Sequence, residues 1–122
     1  RMRLMGYVLA EKMKIYPEYH TAIVALDKSD LEKYDYQTGD TEGFVNMPLS
    51  IDSVYFSIFI RQDHDRVKLS FRSQGDFPAN KVAAEIFGGG GHLNAAGAES
   101  LQPIDETVKR IEEALPRYFN DK

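Results

Sequence analysis

Val54-Tyr55-Phe56-Ser57-Ile58-Phe59-Ile60, then Asp63-His64-Asp65, then Val67-Lys68-Leu69-Ser70-Phe71-Arg72, is the stretch that decides the fold. Val54, Phe56, Ile58 and Ile60 alternate with Tyr55, Ser57 and Phe59, the two-residue period of a strand. Val67, Leu69 and Phe71 alternate in the same way with Lys68, Ser70 and Arg72. The polar tip between them closes a hairpin. Because successive side chains point to opposite faces, Arg72 lies on the face opposite Phe71, away from the apolar row.

Upstream, Leu4, Val8, Leu9 and Met13 recur at helical spacing, which predicts an amphipathic helix ending before Pro17. Thr21 to Leu26 is a nearly continuous apolar run and reads as a strand buried on both faces. Ser29-Asp30 can cap a short helix through about Tyr36. Gln37 to Thr41 reads as a turn, and Glu42 to Ile51 as a short helix weakened by Pro48. Downstream, Phe77 to Phe87 reads as a helix, with Asp76 or Asn80 near its start and Gly88 beyond its end. Ala98 to Leu101 reads as a short strand. Pro103 opens a last helix whose first turn carries Asp105 and Glu106 and whose buried stripe is Val108, Ile111, Leu115 and Phe119. The order predicts a single α+β domain over residues 1–122, with a central mixed β-sheet flanked by helices.

The chain has 122 residues, 43% hydrophobic and 28% charged. That suits one soluble globular domain. It has no cysteine, which removes disulfides, thiolate nucleophiles and thiolate metal sites. No apolar stretch approaches the ~20 residues of a membrane span, and a cytoplasmic location is expected. Lys plus Arg is 15 and Asp plus Glu is 19, a net charge of −4. This disfavours nonspecific binding to long nucleic acid, which depends on many phosphate contacts. A small phosphorylated ligand at one local pocket remains compatible.

The candidate chemistry lies after the hairpin. Gly88-Gly89-Gly90-Gly91-His92-Leu93-Asn94-Ala95-Ala96-Gly97 joins four glycines, an ionisable ring and three small residues. Each glycine costs roughly 0.5–1 kcal/mol relative to Ala in regular structure, so such a run belongs where backbone approaches something closely. Bare N–H groups beside an imidazole suit an anion such as phosphate. A plain helix C-cap and turn is the competing reading. Arg72-Ser73 ends the second hairpin strand, with a guanidinium fork and a hydroxyl that suit phosphate oxygens. An ordinary strand end with a solvated arginine is its competitor. Glu42 and Asn46, four apart within Asp40-Thr41-Glu42-Gly43-Phe44-Val45-Asn46, share a face if helical and could read a ribose or base edge; a capped, solvent-facing helix fits equally. His20 and His64 read as surface residues. No His/Asp/Glu cluster has metal-ligand spacing, and no nucleophile–base set is evident.

The Gly-His-x-x-Ala-Ala-Gly core at Gly91–Gly97, with Phe71-Arg72-Ser73 upstream, resembles the DHH-associated domain, the C-terminal half of DHH-family phosphoesterases. These include RecJ-like exonucleases, nano-RNases active on oligoribonucleotides and pAp, cyclic di-AMP phosphodiesterases and exopolyphosphatase-related proteins. The segment Asp40–Asn46 resembles the nano-RNase branch. The resemblance covers essentially the whole chain, its first ~15 residues matching the end of an interdomain linker helix. It implies a parent enzyme in which an N-terminal DHH domain holds two Mn²⁺ and activates water, while this domain grips the nucleotide across a cleft. By that pattern Arg72 and Ser73 bind phosphate or the terminal nucleotide. Gly89, Gly90 and Gly91 lie against the phosphates with Asn94 beside them, and His92 contacts the scissile or adjacent phosphate as an assisting catalytic group. Glu42 and Asn46 are counted with the substrate-binding residues on their shared helical face, with their role left open. The chain lacks the Asp-His-His motif, so it is expected to hold no metal and to be inactive alone. The expected partners are short RNA or a small phosphorylated nucleotide and the DHH domain, with no membrane; a homodimer stays open. Two alternatives remain: a noncatalytic nucleic-acid-binding module, as in the C-terminal domain of alanyl-tRNA synthetases, and half of an exopolyphosphatase or cyclic dinucleotide phosphodiesterase.

Overall fold

A computed structural model describes residues 6–33 and 41–119. One mixed, six-stranded sheet organises the chain, in the order β1-β2-β3-β4-β6-β5. The strands are β1 (Met13–Tyr16), β2 (Thr21–Leu26), β3 (Phe56–Gln62), β4 (Val67–Ser73), β5 (Gly90–His92) and β6 (Ala95–Ser100). Among the described residues only the β2–β3 pair is parallel. The helices are α1 (Lys28–Lys33), α2 (Thr41–Asn46), α3 (Ala79–Phe87), α4 (Ile104–Ala114) and α5 (Pro116–Phe119). The domain is α+β with a mixed sheet, as the alternating patterns predict.

The two faces of the sheet are covered differently. Phe56, Ile58 and Ile60 of β3 and Val67, Leu69 and Phe71 of β4 point to one face, where Val82, Ala83 and Ile86 of α3 and Ile111 of α4 bury them. Phe77 stacks on Phe119 at 4.8 Å and tilts against Phe56 at 4.7 Å, so an aromatic column ties the C-terminal turn to the sheet. On the other face Val8, Phe44 and Val45 cover Val24, Leu26 and Phe59. That second cover reaches across β2 and β3 and onto β4. Burying one Phe or Ile side chain contributes about 2 kcal/mol, so both layers are substantial.

Several elements differ from the sequence expectations. The first segment is helical only as far as Lys12, its last turn Val8–Lys12 being a π-helix. Met13–Tyr16 is then an edge strand on β2. Met13 does pack with Val8 and Val24, as the helical spacing implied, but reaches them from a strand. In α1 the cap is Asp27 rather than Ser29-Asp30. The Asp30 N–H donates to Asp27 Oδ1 at 2.8 Å and the Asp27 N–H to Asp30 Oδ2 at 3.0 Å, a reciprocal box with Asp in the usual Glu place. The expected end at Tyr36 and most of the Gln37–Thr41 turn lie outside the described residues, while Thr41 already belongs to α2. The helix expected from Glu42 to Ile51 is α2 followed by a 3₁₀ turn, Met47–Ser50, which accommodates Pro48. The helix expected from Phe77 begins at Ala79, because Phe77 is drawn into the aromatic column. The strand expected at Ala98–Leu101 starts at Ala95 and stops at Ser100, and β5 was hidden inside the glycines.

Asp30 joins the amino-terminal turn to the rest. Its side chain is 8% exposed and lies 3.1 Å from Lys12 Nζ, while the Tyr7 hydroxyl donates to it at 2.7 Å. Burial pushes the carboxyl up, but the hydrogen bonds from Tyr7 and the Asp27 backbone and the Lys12 ammonium outweigh it and hold the group below its usual range. A depressed carboxylate adds stability above its unfolded pKa of about 3.9 and loses it as pH falls through the folded value. Asp30→Ala should therefore cost about 3 kcal/mol at pH 7. Urea unfolding at pH 7 and below pH 3 should show this gap narrow sharply in acid.

Candidate phosphate-binding face

The register places the candidate residues strand by strand. Ser57 pairs with Arg72, Arg72 with Ala95, and Ala95 with His92. Directly paired residues point to the same face. Arg72 and His92 therefore stand on one face with only the methyl group of Ala95 between them, roughly 10 Å apart at two strand spacings. One step along, Ser70, Gly97 and Gly90 form the next row. These rows run from the margin of the α2 cover on β4 outward to β6 and β5. His92, Gly97 and Gly90 are exposed, and Arg72, Ser70 and Ala95 half-buried. The row continues into a depression of about 360 Å³ lined by Phe59, Arg61, Lys68, Ser70, Gly97 and Glu99.

Arg72 lies flat on this surface. Its Nη1 donates to the Phe71 carbonyl at 2.9 Å and reaches the Ala96 carbonyl at 3.5 Å, which lays the guanidinium across β4 toward β6. The hairpin tip beyond is neutralised by ion pairs. Arg66 meets Glu99 at 2.8 Å and Asp65 at 3.0 Å, and Lys68 meets Asp63 at 3.4 Å. Hydrogen bonding from Arg66 holds Asp65 below the usual carboxylate range, and the His64 backbone N–H followed by Lys68 does the same for Asp63.

Ser73 is on the opposite face and is 6% exposed. Its hydroxyl lies 2.7 Å from the Phe77 carbonyl and 3.2 Å from that of Leu93, and accepts the Asn94 amide at 2.9 Å. Asn94 also donates to the Gly75 carbonyl at 3.1 Å. The Leu93 carbonyl accepts the Ala79 N–H at 2.8 Å, satisfying the first donor of α3 without a side-chain cap. Ser73 and Asn94 thus fasten the β5–β6 turn to the end of β4 and the start of α3. Alternation from Arg72 carried this information, since a residue next to an outward arginine must point inward.

The glycines divide their duties. The N–H groups of Gly88 and Gly89 bond back to Ala84 and Ala83 and close α3. Gly89 and Gly91 then press against β6. A Cβ on Gly89 would stand 2.6 Å from Ala98 Cβ, and one on Gly91 2.6 Å from the Ala95 carbonyl oxygen. Gly91 also has φ +151°. Gly90, with open space where a Cβ would be, belongs to the exposed row. The close approach foreseen for this run is therefore in part an approach to the protein's own sheet. As an edge strand, β5 also directs alternate N–H groups outward, away from the ladder.

Asn46 is exposed on α2, the helix that borders the open face; the Glu42 side chain lies outside the described residues. His64 is exposed at the hairpin tip. His20 is not a solitary surface ring: it stacks on Tyr55 with centroids 4.3 Å apart and an 8° interplanar angle. Among the described residues no three His, Asp or Glu side chains gather to hold a metal ion, and no helix is long and apolar enough to cross a membrane.

The model of the DHHA1 domain matches residues 18–120. The chain belongs to the DHHA1 domain family. A curated relative, the bifunctional oligoribonuclease and PAP phosphatase NrnA of Thermus thermophilus, is 36% identical over 78 residues, covering 62% of this chain and 24% of that protein. The crystal structure of an exopolyphosphatase-related protein from Bacteroides fragilis superposes with a TM-score of 0.92 at 52% identity, over 98% of this chain and 35% of that one. A pGpG-specific phosphodiesterase, PggH from Vibrio cholerae, shares the fold at a TM-score of 0.63 and 14% identity, over 97% of this chain and 38% of that one. The C-Ala domain of Aquifex aeolicus alanyl-tRNA synthetase does so at 0.59 and 14%, over 85% of this chain and 97% of that one. This DHHA1 chain thus spans about a quarter of the curated relative and about a third of the two phosphoesterase-related structures.

The packing separates the glycines experimentally. Gly89→Ala should lower the thermal midpoint by roughly 8 °C or more, because the overpacking cost of about 2 kcal/mol falls on its close approach to the Gly97 carbonyl and Ala98 of β6, where β5 begins. Gly90→Ala should change it by less than about 3 °C. Differential scanning calorimetry of the two variants reads the contrast.

Proposed function

We propose that this domain is the substrate-gripping half of a metal-dependent DHH phosphoesterase acting on short oligoribonucleotides or pAp. One observation carries the reading: Arg72 and His92 face the same way across Ala95, on the side of the sheet where His92, Gly97 and Gly90 are exposed. A phosphoryl group there can accept from a guanidinium, an imidazole and the outward N–H groups of the glycine edge. Ser73 and Asn94 act beneath it by holding the turn that carries His92. The family membership and the NrnA relative support phosphoester chemistry over simple binding. The acidic balance of −4 weighs against the alternative of a general nucleic-acid-binding module.

In this reading a preceding DHH domain supplies the Mn²⁺ pair and the activated water. The present chain binds, orients and stabilises charge. Half of a cleft should bind weakly and still prefer a phosphate. Titrating the chain with pAp should shift the backbone amides of Arg72, Gly89–Gly91 and His92, whereas adenosine should shift them far less. Equal perturbation by both ligands contradicts the assignment.

In an enzyme that joins this domain to its DHH half, the two side chains should separate kinetically. His92 reaches an oxygen whose charge grows during the reaction, so His92→Ala should lower kcat by about 10²-fold while leaving Mn²⁺ content and thermal midpoint intact. Arg72→Ala should chiefly raise KM, as loss of uniform binding does. Wild-type kcat with a lowered midpoint in His92→Ala would make that histidine structural.

A further inference from the structure

At the end of the sheet that carries Arg72 and Ser73, an exposed tyrosine is held in place by its neighbours. Tyr55 is 42% exposed, although Val54 and Phe56 on either side of it are buried. The Gln74 N–H donates to its carbonyl at 2.9 Å, which sets it beside the strand of Arg72, two residues beyond the Ser57–Arg72 pair. A diagonal neighbour of this kind lies roughly 7–8 Å away between Cα atoms.

The ring is backed by His20, stacked at 4.3 Å and 8° from parallel. His20 is itself immobilised. Its backbone is left-handed at φ 49°, and its carbonyl accepts both the Tyr55 N–H at 2.8 Å and the Phe56 N–H at 3.2 Å. Its ring Nδ1 sits 3.1 Å from the Ser53 carbonyl, and Phe119 closes behind it at 6.2 Å. Such bracing is more than an exposed tyrosine needs for folding. It presents one flat aromatic surface at low entropic cost, next to a phosphate-binding face.

We infer that Tyr55, braced by His20, is a stacking platform for a nucleobase of the ligand whose phosphate lies on the Arg72–His92 face. The assignment rests on the proposed function and adds a base subsite to it. Stacking one base on an aromatic ring typically accounts for about 5- to 150-fold in affinity and tolerates any base, because every base has a π-face. The hydroxyl of Tyr55 is not required.

Two probes separate the base from the phosphate. 2-Aminopurine ribonucleoside 5′-monophosphate should bind the chain with its fluorescence quenched. Tyr55→Leu should abolish the quenching and weaken that binding about tenfold, while ribose 5-phosphate binds as to the unaltered chain. Tyr55→Phe should restore both. The sequence contains no tryptophan, so Tyr55→Trp supplies a second measurement: its emission should be quenched by AMP and not by ribose 5-phosphate. Unchanged quenching in Tyr55→Leu, equal losses for both probes, or Trp emission indifferent to AMP would overturn the platform. Failure of the phosphate reading looks different: Arg72→Ala would then leave ribose 5-phosphate binding unaltered while the Tyr55 signals persist.

Discussion

The Ser73 hydroxyl sits between the carbonyls of Phe77 and Leu93 and accepts the amide of Asn94. Through these contacts the last residue of β4, the β5–β6 turn and the first residues of α3 become one unit. A buried hydroxyl left without partners costs about 1–3 kcal/mol, so the unit is self-consistent: each group satisfies another. Arg72 and His92 project from the two ends of this unit. The strand register sets the side from which each projects, and the Arg72 guanidinium is further laid down on the Phe71 and Ala96 carbonyls. That is the usual economy of a binding surface built on a rigid sheet rather than on a loop.

The two faces of the sheet also explain how so small a domain can offer an open surface. Helices α3, α4 and α5 pack against one face over β3 and β4, and the aromatic column of Phe56, Phe77 and Phe119 closes its end. The other face carries its own cluster over β2 and β3, anchored by Phe44 and Phe59. Small residues on β6 and β5, Ala95, Gly97 and Gly90, expose little apolar surface and let a ligand approach the backbone closely.

Much of this was legible in the sequence. The period-two patterns of Phe56–Ile60 and Val67–Phe71 located the central hairpin and the side of Arg72. The apolar run Thr21–Leu26 located a strand with covered faces. The misses have physical causes. Met13–Tyr16 was hidden because Met13 satisfies helical spacing from Val8 while serving a strand. β5 was hidden because Gly90 and Gly91 have no side chains to show a period, and their strand exists only through contact with β6. The Asp27–Asp30 box was overlooked because the fit of a second aspartate to the reciprocal role is a matter of geometry. Ser73 was placed among the ligands of a phosphate by its neighbour Arg72, although alternation alone points it inward. His20 was set aside as a surface residue because nothing in local sequence reveals a stack across 35 positions of chain.

His92 and Ala95 are paired across a turn of only two residues, Leu93 and Asn94. In a strand, parity decides the face: a shift of one residue carries every side chain to the other side. The length of this turn is therefore a switch with two settings. In the present register the imidazole shares a face with Arg72; a one-residue slip of β5 that set His92 opposite Ala96 would turn it to the α3 side. The side to which the imidazole points depends less on which residues form the turn than on the register that the turn sets. Among divergent relatives, a change of length here would be a more informative sign of altered activity than loss of the histidine itself.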